Sequence, residues 1–268
     1  MTPTRRRRAL AVVAAGALSV LIAGIAGAAD DVRTVPARPG VTQSFILVRP
    51  AERPVAAVVL FAGGNGALRL GSGRLALGGN FLVRNRARFA ERGLLVAVVD
   101  APSDHADLDG FRTSAAHADD VRAVLAALRA EAAVPVWLVG TSMGTVSAAN
   151  AAARLTTGGP DGLVLTSTVT RQGRERPESV GDVRLKDIRV PTLLVHHRRD
   201  ACPGTPYADT VGLMRDLRST PRRELLTFDG GDAPQSGPCE ARAAHGYVGL
   251  DAEVVEAIAR WITTAPRP

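Results

Sequence analysis

The pentapeptide Gly140-Thr141-Ser142-Met143-Gly144 constrains this chain more than any other feature of it. It directly follows an apolar run, Val134-Pro135-Val136-Trp137-Leu138-Val139, and precedes a small-residue, helix-compatible stretch over 145–154. Strand, sharp turn and helix in that order are the setting in which G-x-S-x-G exposes a serine at the top of a sheet. The turn holds the serine in a strained backbone conformation, so the residues on either side must lack bulk. The motif alone recurs by chance, and its plainer reading is a Gly-rich turn with a surface serine. The strand before it and the helix after it favour a nucleophile.

Strand and helix signals alternate along the rest of the chain. After a polar, proline-containing start over 30–40, residues 44–49 alternate as a strand does, and 55–62 is a continuous apolar run suited to a strand buried on both faces. A Gly-rich loop follows over 63–79. Phe81, Leu82, Ala87, Phe89 and Ala90 then give one face of a helix ending at Gly93. A buried strand is expected at 94–99, closing on Asp100, and a helix at 113–132 with Val121, Val124, Leu125 and Leu128 at helical spacing. Further strands are expected at 162–167, 190–197 and 224–228, with helices at 207–218 and 251–263. Such alternation implies an α/β fold, a mostly parallel central sheet with helices on both faces. There is no internal repeat or linker, so a single domain over 29–268 is expected. Only about twenty residues separate the strands near Ser167 and Val190, too few for a large lid. The polar stretch 170–186 reads as a surface loop or one short helix.

The N-terminus reads as an export signal over 1–28. Arg5 to Arg8 form the charged region, 9–25 the apolar region, and Ala26-Gly27-Ala28 the small-x-small cleavage pattern. An uncleaved anchor is the rival reading, and the arginines also suit a twin-arginine route. A periplasmic or secreted protein with no stable membrane anchor is expected. The formal charge of +7 owes much to this leader: removing its four arginines from 33 basic side chains leaves 29 against 26 acidic, a net of +3. With aromatics at 4%, neither a polyanion nor a nucleic-acid partner is indicated. In an oxidising compartment the two cysteines, Cys202 and Cys239, are expected to pair. Closing that loop would contribute roughly 3–4 kcal/mol on the chain-entropy model. Two separate buried thiols are the alternative.

A serine nucleophile needs a base, and the base an orienting acid. In a strand–elbow–helix setting the chain order is Ser, acid, His. His105 and His117 precede Ser142, while His196 and His197 sit at a strand end before any later acid loop. His245, between the last strand and the last helix, is left as the base. Asp200, on the loop after 190–197, is the candidate acid, with Asp229 and Asp232 as rivals. A Cys202–Cys239 bond would tie the acid loop to the base loop. An oxyanion hole needs two backbone N–H groups. Met143 is expected to supply one, and Gly64 or Asn65 of Gly63-Gly64-Asn65-Gly66 the other. No G-K-[ST] follows this loop, so a phosphate cradle is discounted.

Taken together, Phe61-Ala62-Gly63-Gly64-Asn65-Gly66, Gly140-Thr141-Ser142-Met143-Gly144, Arg199-Asp200-Ala201-Cys202 and His245-Gly246-Tyr247 resemble the α/β-hydrolase superfamily. Within it the chain looks like lidless bacterial esterases and dienelactone-hydrolase-like proteins with a serine nucleophile. Many members carry His-Gly at the oxyanion loop, where this chain has Phe61-Ala62. The resemblance implies hydrolysis of a small-molecule or polymeric ester through an acyl-enzyme, with no cofactor and no metal. Thioesters, amides and peptides suit the same triad. An exported binding protein on the same fold is the reading of a different class.

Overall fold

The computed structural model describes residues 30–174 and 176–264, so the expected leader (1–28) lies outside the described residues. Eight strands form one sheet: β1 (Asp31–Arg38), β2 (Val41–Val48), β3 (Ala56–Phe61), β4 (Leu94–Val99), β5 (Val136–Thr141), β6 (Gly162–Thr166), β7 (Thr192–His197) and β8 (Arg223–Phe228). Their order across the sheet is β1-β2-β4-β3-β5-β6-β7-β8. β2 runs antiparallel to β1 and β4, and the remaining neighbours are parallel. The helices are α1 (Phe81–Arg84), α2 (Arg86–Glu91), α3 (Ala115–Glu131), α4 (Gly144–Arg154), α5 (Thr210–Asp216) and α6 (Asp251–Thr263).

The pleat divides the apolar strands between two cores. Ala57, Val59 and Phe61 of β3 and Val136 and Leu138 of β5 pack with α3, α4 and α5. Ala56, Val58 and Leu60, with Trp137 and Val139, pack with α1, α2 and α6. A strand covered on both faces favours apolar residues throughout, which is why β3 and β4 are unbroken hydrophobic runs and β5 is one up to Val139. This is a single α/β domain without a large lid. Between β6 and β7 the described residues hold only a Gly173–Arg176 bridge and two short 3-10 turns, Val180–Asp182 and Leu185–Asp187.

Three local expectations are revised. The polar start over 30–40 contains β1, an edge strand. Such a strand tolerates Pro36 and charged residues because one of its edges and part of its surface face water, and its ladder slips between Pro36 and Arg38. The helix expected to end at Gly93 is broken at Asn85, whose buried amide donates to the Phe81 carbonyl (2.9 Å) instead of projecting into solvent. The stretch 170–186 is not all surface: Glu178, Ser179, Val180 and Leu185 are buried, the last two in the α3/α4 core.

Helix α4 is seated unusually close to the sheet. Its residues from Gly144 to Ala152 are all buried and mostly small. A methyl placed on Gly144 would strike the carbonyl oxygen of Phe61 and lie 2.7 Å from that of Ala62. Main chain cannot yield cheaply, so Gly144→Ala is expected to cost about 1–3 kcal/mol. A thermal melt would read this as a midpoint lowered by several degrees; an unchanged midpoint would contradict the close seat.

Candidate active site

Ser142 stands between the end of β5 and the start of α4 at φ 52°, a left-handed conformation rare for a side chain without a local cap. Both flanking glycines are sterically required. A Cβ on Gly140 would collide with the carbonyl group of Gly144. The Ser142 N–H donates to the Thr166 carbonyl on β6 (3.0 Å), and its own carbonyl accepts from the Thr145 N–H (2.9 Å) and hydroxyl (2.6 Å). The strained residue is therefore pinned on both sides. The Met143 N–H opens α4, where first-turn donors have no intrahelical partner and the helix dipole favours negative charge.

His245 and Asp200 meet although 45 residues separate them. The imidazole Nδ1 lies 3.0 Å from Asp200 Oδ2, and both side chains are almost wholly buried. Asp200 Oδ2 also accepts from the Thr205 hydroxyl (2.8 Å), and Oδ1 accepts from the Cys202 N–H (2.9 Å). Burial works to raise the Asp200 pKa, but the His245 contact and these two donors outweigh it and hold the carboxyl below its ordinary value. The other ring nitrogen, His245 Nε2, is buried and has no hydrogen-bond partner among the described residues, Ser142 Oγ included. Such contacts often tighten only with substrate bound.

The base loop is fixed from behind. The Ser167 hydroxyl (φ 45° at that residue) donates to the His245 carbonyl at 2.7 Å. Tyr247, at φ 58° and fully buried, donates its hydroxyl to the Val195 carbonyl (2.9 Å). Burial pushes that phenol's pKa up. Arg84 reaches across to the Gly246 carbonyl (2.6 Å), the Ala241 carbonyl (3.1 Å) and Asp251 (2.7 Å). Cys202 and Cys239 are joined by a disulfide.

The rival acids lie elsewhere. Asp229 is exposed and pairs with Arg199 (2.7 Å), and Asp232 is exposed, its N–H donating to the Val248 carbonyl. His197 is satisfied by the Gly230 carbonyl and the Arg199 N–H. His196 is buried with an unpartnered Nδ1. His105 stacks on Phe111 and bonds Asp104. Among the described residues no cluster of His, Cys, Asp or Glu is arranged to hold a metal ion.

The Gly63–Gly66 loop lies against the serine: a Cβ on Gly63 would stand 2.9 Å from Ser142 Cβ. The N–H groups of Gly64 and Asn65 make none of the backbone hydrogen bonds of the described residues. Asp100 organises the chain just beyond, its carboxylate accepting from the N–H groups of Leu68 (2.6 Å), Leu70 (2.9 Å) and Ala101 (2.8 Å). Sequence reasoning missed three further residues here. Arg112 is fully buried and donates to the Gly64 carbonyl (2.7 Å) and the Ser147 hydroxyl (3.0 Å). Glu178 accepts from the N–H groups of Gly110 (3.1 Å) and Thr113 (2.9 Å). Thr205, wholly buried, braces the Asp200–His245 pair. In sequence they are ordinary polar residues in loops; only long-range approach reveals them.

No protein-family model matches the sequence, and no curated protein matches it. Solved structures do. A cold-adapted esterase from an Arctic intertidal metagenomic library superposes with a TM-score of 0.59 at 18% identity, over 88% of this chain and 94% of that one. A dienelactone hydrolase from Anabaena variabilis gives 0.60 at 16% identity, over 90% and 100%. An α/β serine hydrolase without a lid from Xanthomonas campestris gives 0.58 at 18% identity, over 88% and 97%. The fold is that of the α/β hydrolases.

Between the rings of Phe61 and Phe111 sits His117, fully buried with both ring nitrogens unpartnered. Burial, with the nearby Arg112 charge, pushes its pKa down to about 3. The folded protein thus keeps this ring neutral where the unfolded chain, with an ordinary histidine value, binds a proton. Stability should therefore fall as pH drops below about 6.5 and continue falling toward 3, by up to ~1.4 kcal/mol per pH unit from this residue. Denaturant titrations from pH 7 to 4 should show that decline shallower in His117→Phe than in the unmodified protein; parallel curves would remove His117 as its cause.

Proposed function

We propose that this protein is a serine hydrolase that cleaves carboxylic esters, with Ser142 as nucleophile, His245 as general base and Asp200 as the orienting acid. One observation carries the reading. A serine strained at φ 52° in a G-x-S-x-G elbow shares the carboxyl end of the sheet with a buried Asp200–His245 pair whose Nε2 is otherwise unused. The esterase and the dienelactone hydrolase that share the fold support the choice of an ester carbonyl.

In this mechanism Ser142 Oγ attacks the carbonyl carbon while its proton passes to His245 Nε2. Asp200, accepting from Nδ1–H, stabilises the imidazolium that forms. The carbonyl oxygen gains the negative charge and is met by the Met143 N–H and by Gly64 or Asn65. The intermediate collapses, breaking the ester C–O bond, and the departing alkoxide takes the proton from His245. Water, giving its proton to His245, then attacks the acyl-enzyme, and the second intermediate releases the acid and returns the proton to Ser142. Among the described residues no large lid covers these groups, so the reading extends to bulky or polymeric esters. The Cys202–Cys239 bond and the N-terminal leader of the sequence support an exported protein, mature from about residue 29. Among the described residues no helix is long and apolar enough to cross a membrane.

Intact mass after treatment with a fluorophosphonate is expected to show one adduct, absent in Ser142→Ala. Absence of the adduct on folded wild-type protein would favour a binding protein instead. Ser142→Ala should lower turnover of a p-nitrophenyl ester by on the order of 10⁶. Asp200→Asn should lower it by about 10⁴ while leaving the fold intact. A panel of ester, thioester and amide substrates separates the specificities open to the same triad. Reduction of the Cys202–Cys239 bond is expected to lower activity with the circular dichroism spectrum retained; full activity after reduction would show that the bond does not position the acid and base loops.

A further inference from the structure

We propose that Arg112 is the positioning residue of the oxyanion hole, bracing its two halves at a fixed separation with one guanidinium. This rests on the serine-hydrolase reading and extends it to a residue outside the triad. Arg112 lies on the loop before α3 and is 0% exposed. A buried arginine without a contacting carboxylate is costly to keep. The two groups its Nη atoms meet are uncharged: Nη2 donates to the Gly64 carbonyl at 2.7 Å, and Nη1 to the Ser147 hydroxyl at 3.0 Å.

Those two acceptors belong to the two sides of the site. Ser147 lies one turn along α4 from Met143, whose N–H is the first donor. Gly64 belongs to the loop that supplies the second. A guanidinium is planar and rigid, so one group bonded to both holds them in register. It also acts on the donor itself. In a trans peptide the carbonyl and N–H point in opposite directions, so drawing the Gly64 carbonyl inward turns the Asn65 N–H outward. A cation on the carbonyl oxygen polarises the same peptide and strengthens that N–H as a donor. The geometry leaves no slack: a Cβ on Gly66 would stand 2.7 Å from Arg112 Nη2. Glu178 fixes the arginine's own backbone through Gly110 and Thr113. Burial lowers the guanidinium pKa to about 10, so it stays charged at neutral pH.

The test compares wild type with Arg112→Met, Arg112→Lys and Ser147→Ala, each shown folded by circular dichroism and thermal melt. Kinetics on a p-nitrophenyl ester give kcat and KM separately, and fluorophosphonate inactivation gives the rate of Ser142 attack. An oxyanion brace acts on the transition state and not on substrate binding. Arg112→Met should therefore lose about 10–100-fold in kcat and in inactivation rate, with KM within about twofold. Arg112→Lys, which keeps the charge but reaches one acceptor at a time, should recover part of that loss. Ser147→Ala, a small change that folds even if Arg112→Met does not, should lose a few-fold in kcat with KM unchanged. Wild-type kcat in any folded Arg112 variant, or a loss expressed only in KM, would overturn the proposal. A wild-type protein that neither turns over esters nor takes the adduct would overturn the underlying reading, and this inference with it.

Discussion

The close seat of α4 on the ends of β3 and β5 is the constraint from which the rest of the site follows. Contact between helix and strand backbones leaves no room for a side chain at Gly140 or Gly144, and brings Gly63 against Ser142. Under that compression the chain turns from strand to helix within two residues, Ser142 and Met143, and Ser142 takes a left-handed conformation that costs of order 1–3 kcal/mol. The surroundings can hold it there. Val58, Val59, Leu60, Leu138 and Val139 are wholly buried between two helical layers, so the strands beneath the turn cannot shift to release it. Strain at one residue is thus sustained by packing over the whole sheet.

The charges of the site have an order of their own. A buried carboxylate, Asp200, stands behind the imidazole, and a buried guanidinium, Arg112, stands behind the glycine loop. In acyl transfer positive charge develops on the base and negative charge on the carbonyl oxygen. In the proposed mechanism each fixed charge lies on the side where it would stabilise the charge that develops. Both are held by hydrogen bonds made before any substrate arrives, so little reorganisation is needed at the moment of reaction. Burial makes each charge costly and each field stronger, because little solvent is present to screen it.

How much of this was legible depended on the range of the interaction. The elbow was legible because a turn without side-chain space writes glycines two positions before and two after the serine. The central strands were legible because burial on both faces demands unbroken apolar runs. Asp200 and His245 were reachable only through topology: the order of strands assigns each loop a place, and few histidines compete for it. Arg112 was not legible, since nothing local separates it from the other basic residues; its contacts exist only because Gly64 and Ser147 converge on it. Thr205 and Glu178 were hidden for the same reason. β1 was hidden because an edge strand is asked for little apolar character, and Pro36 interrupts what pattern there is.

The proposed chemistry requires the two loops that carry Asp200 and His245 to hold an imidazole to a fraction of an ångström, yet loops are the parts of a fold least able to do so. Here each loop is restrained by something other than its own backbone. The acid loop is closed by the Cys202 N–H on Asp200 and bonded through the same residue to Cys239. The base loop is held by Ser167 on the His245 carbonyl and by Arg84 on the Gly246 and Ala241 carbonyls. Thr205 then joins the loops at the point where acid and base meet. Every such restraint removes conformations that would otherwise have to be frozen out when substrate binds. The restraints on the Asp200–His245 pair are thus present in the free protein, while His245 Nε2 is left without a partner among the described residues.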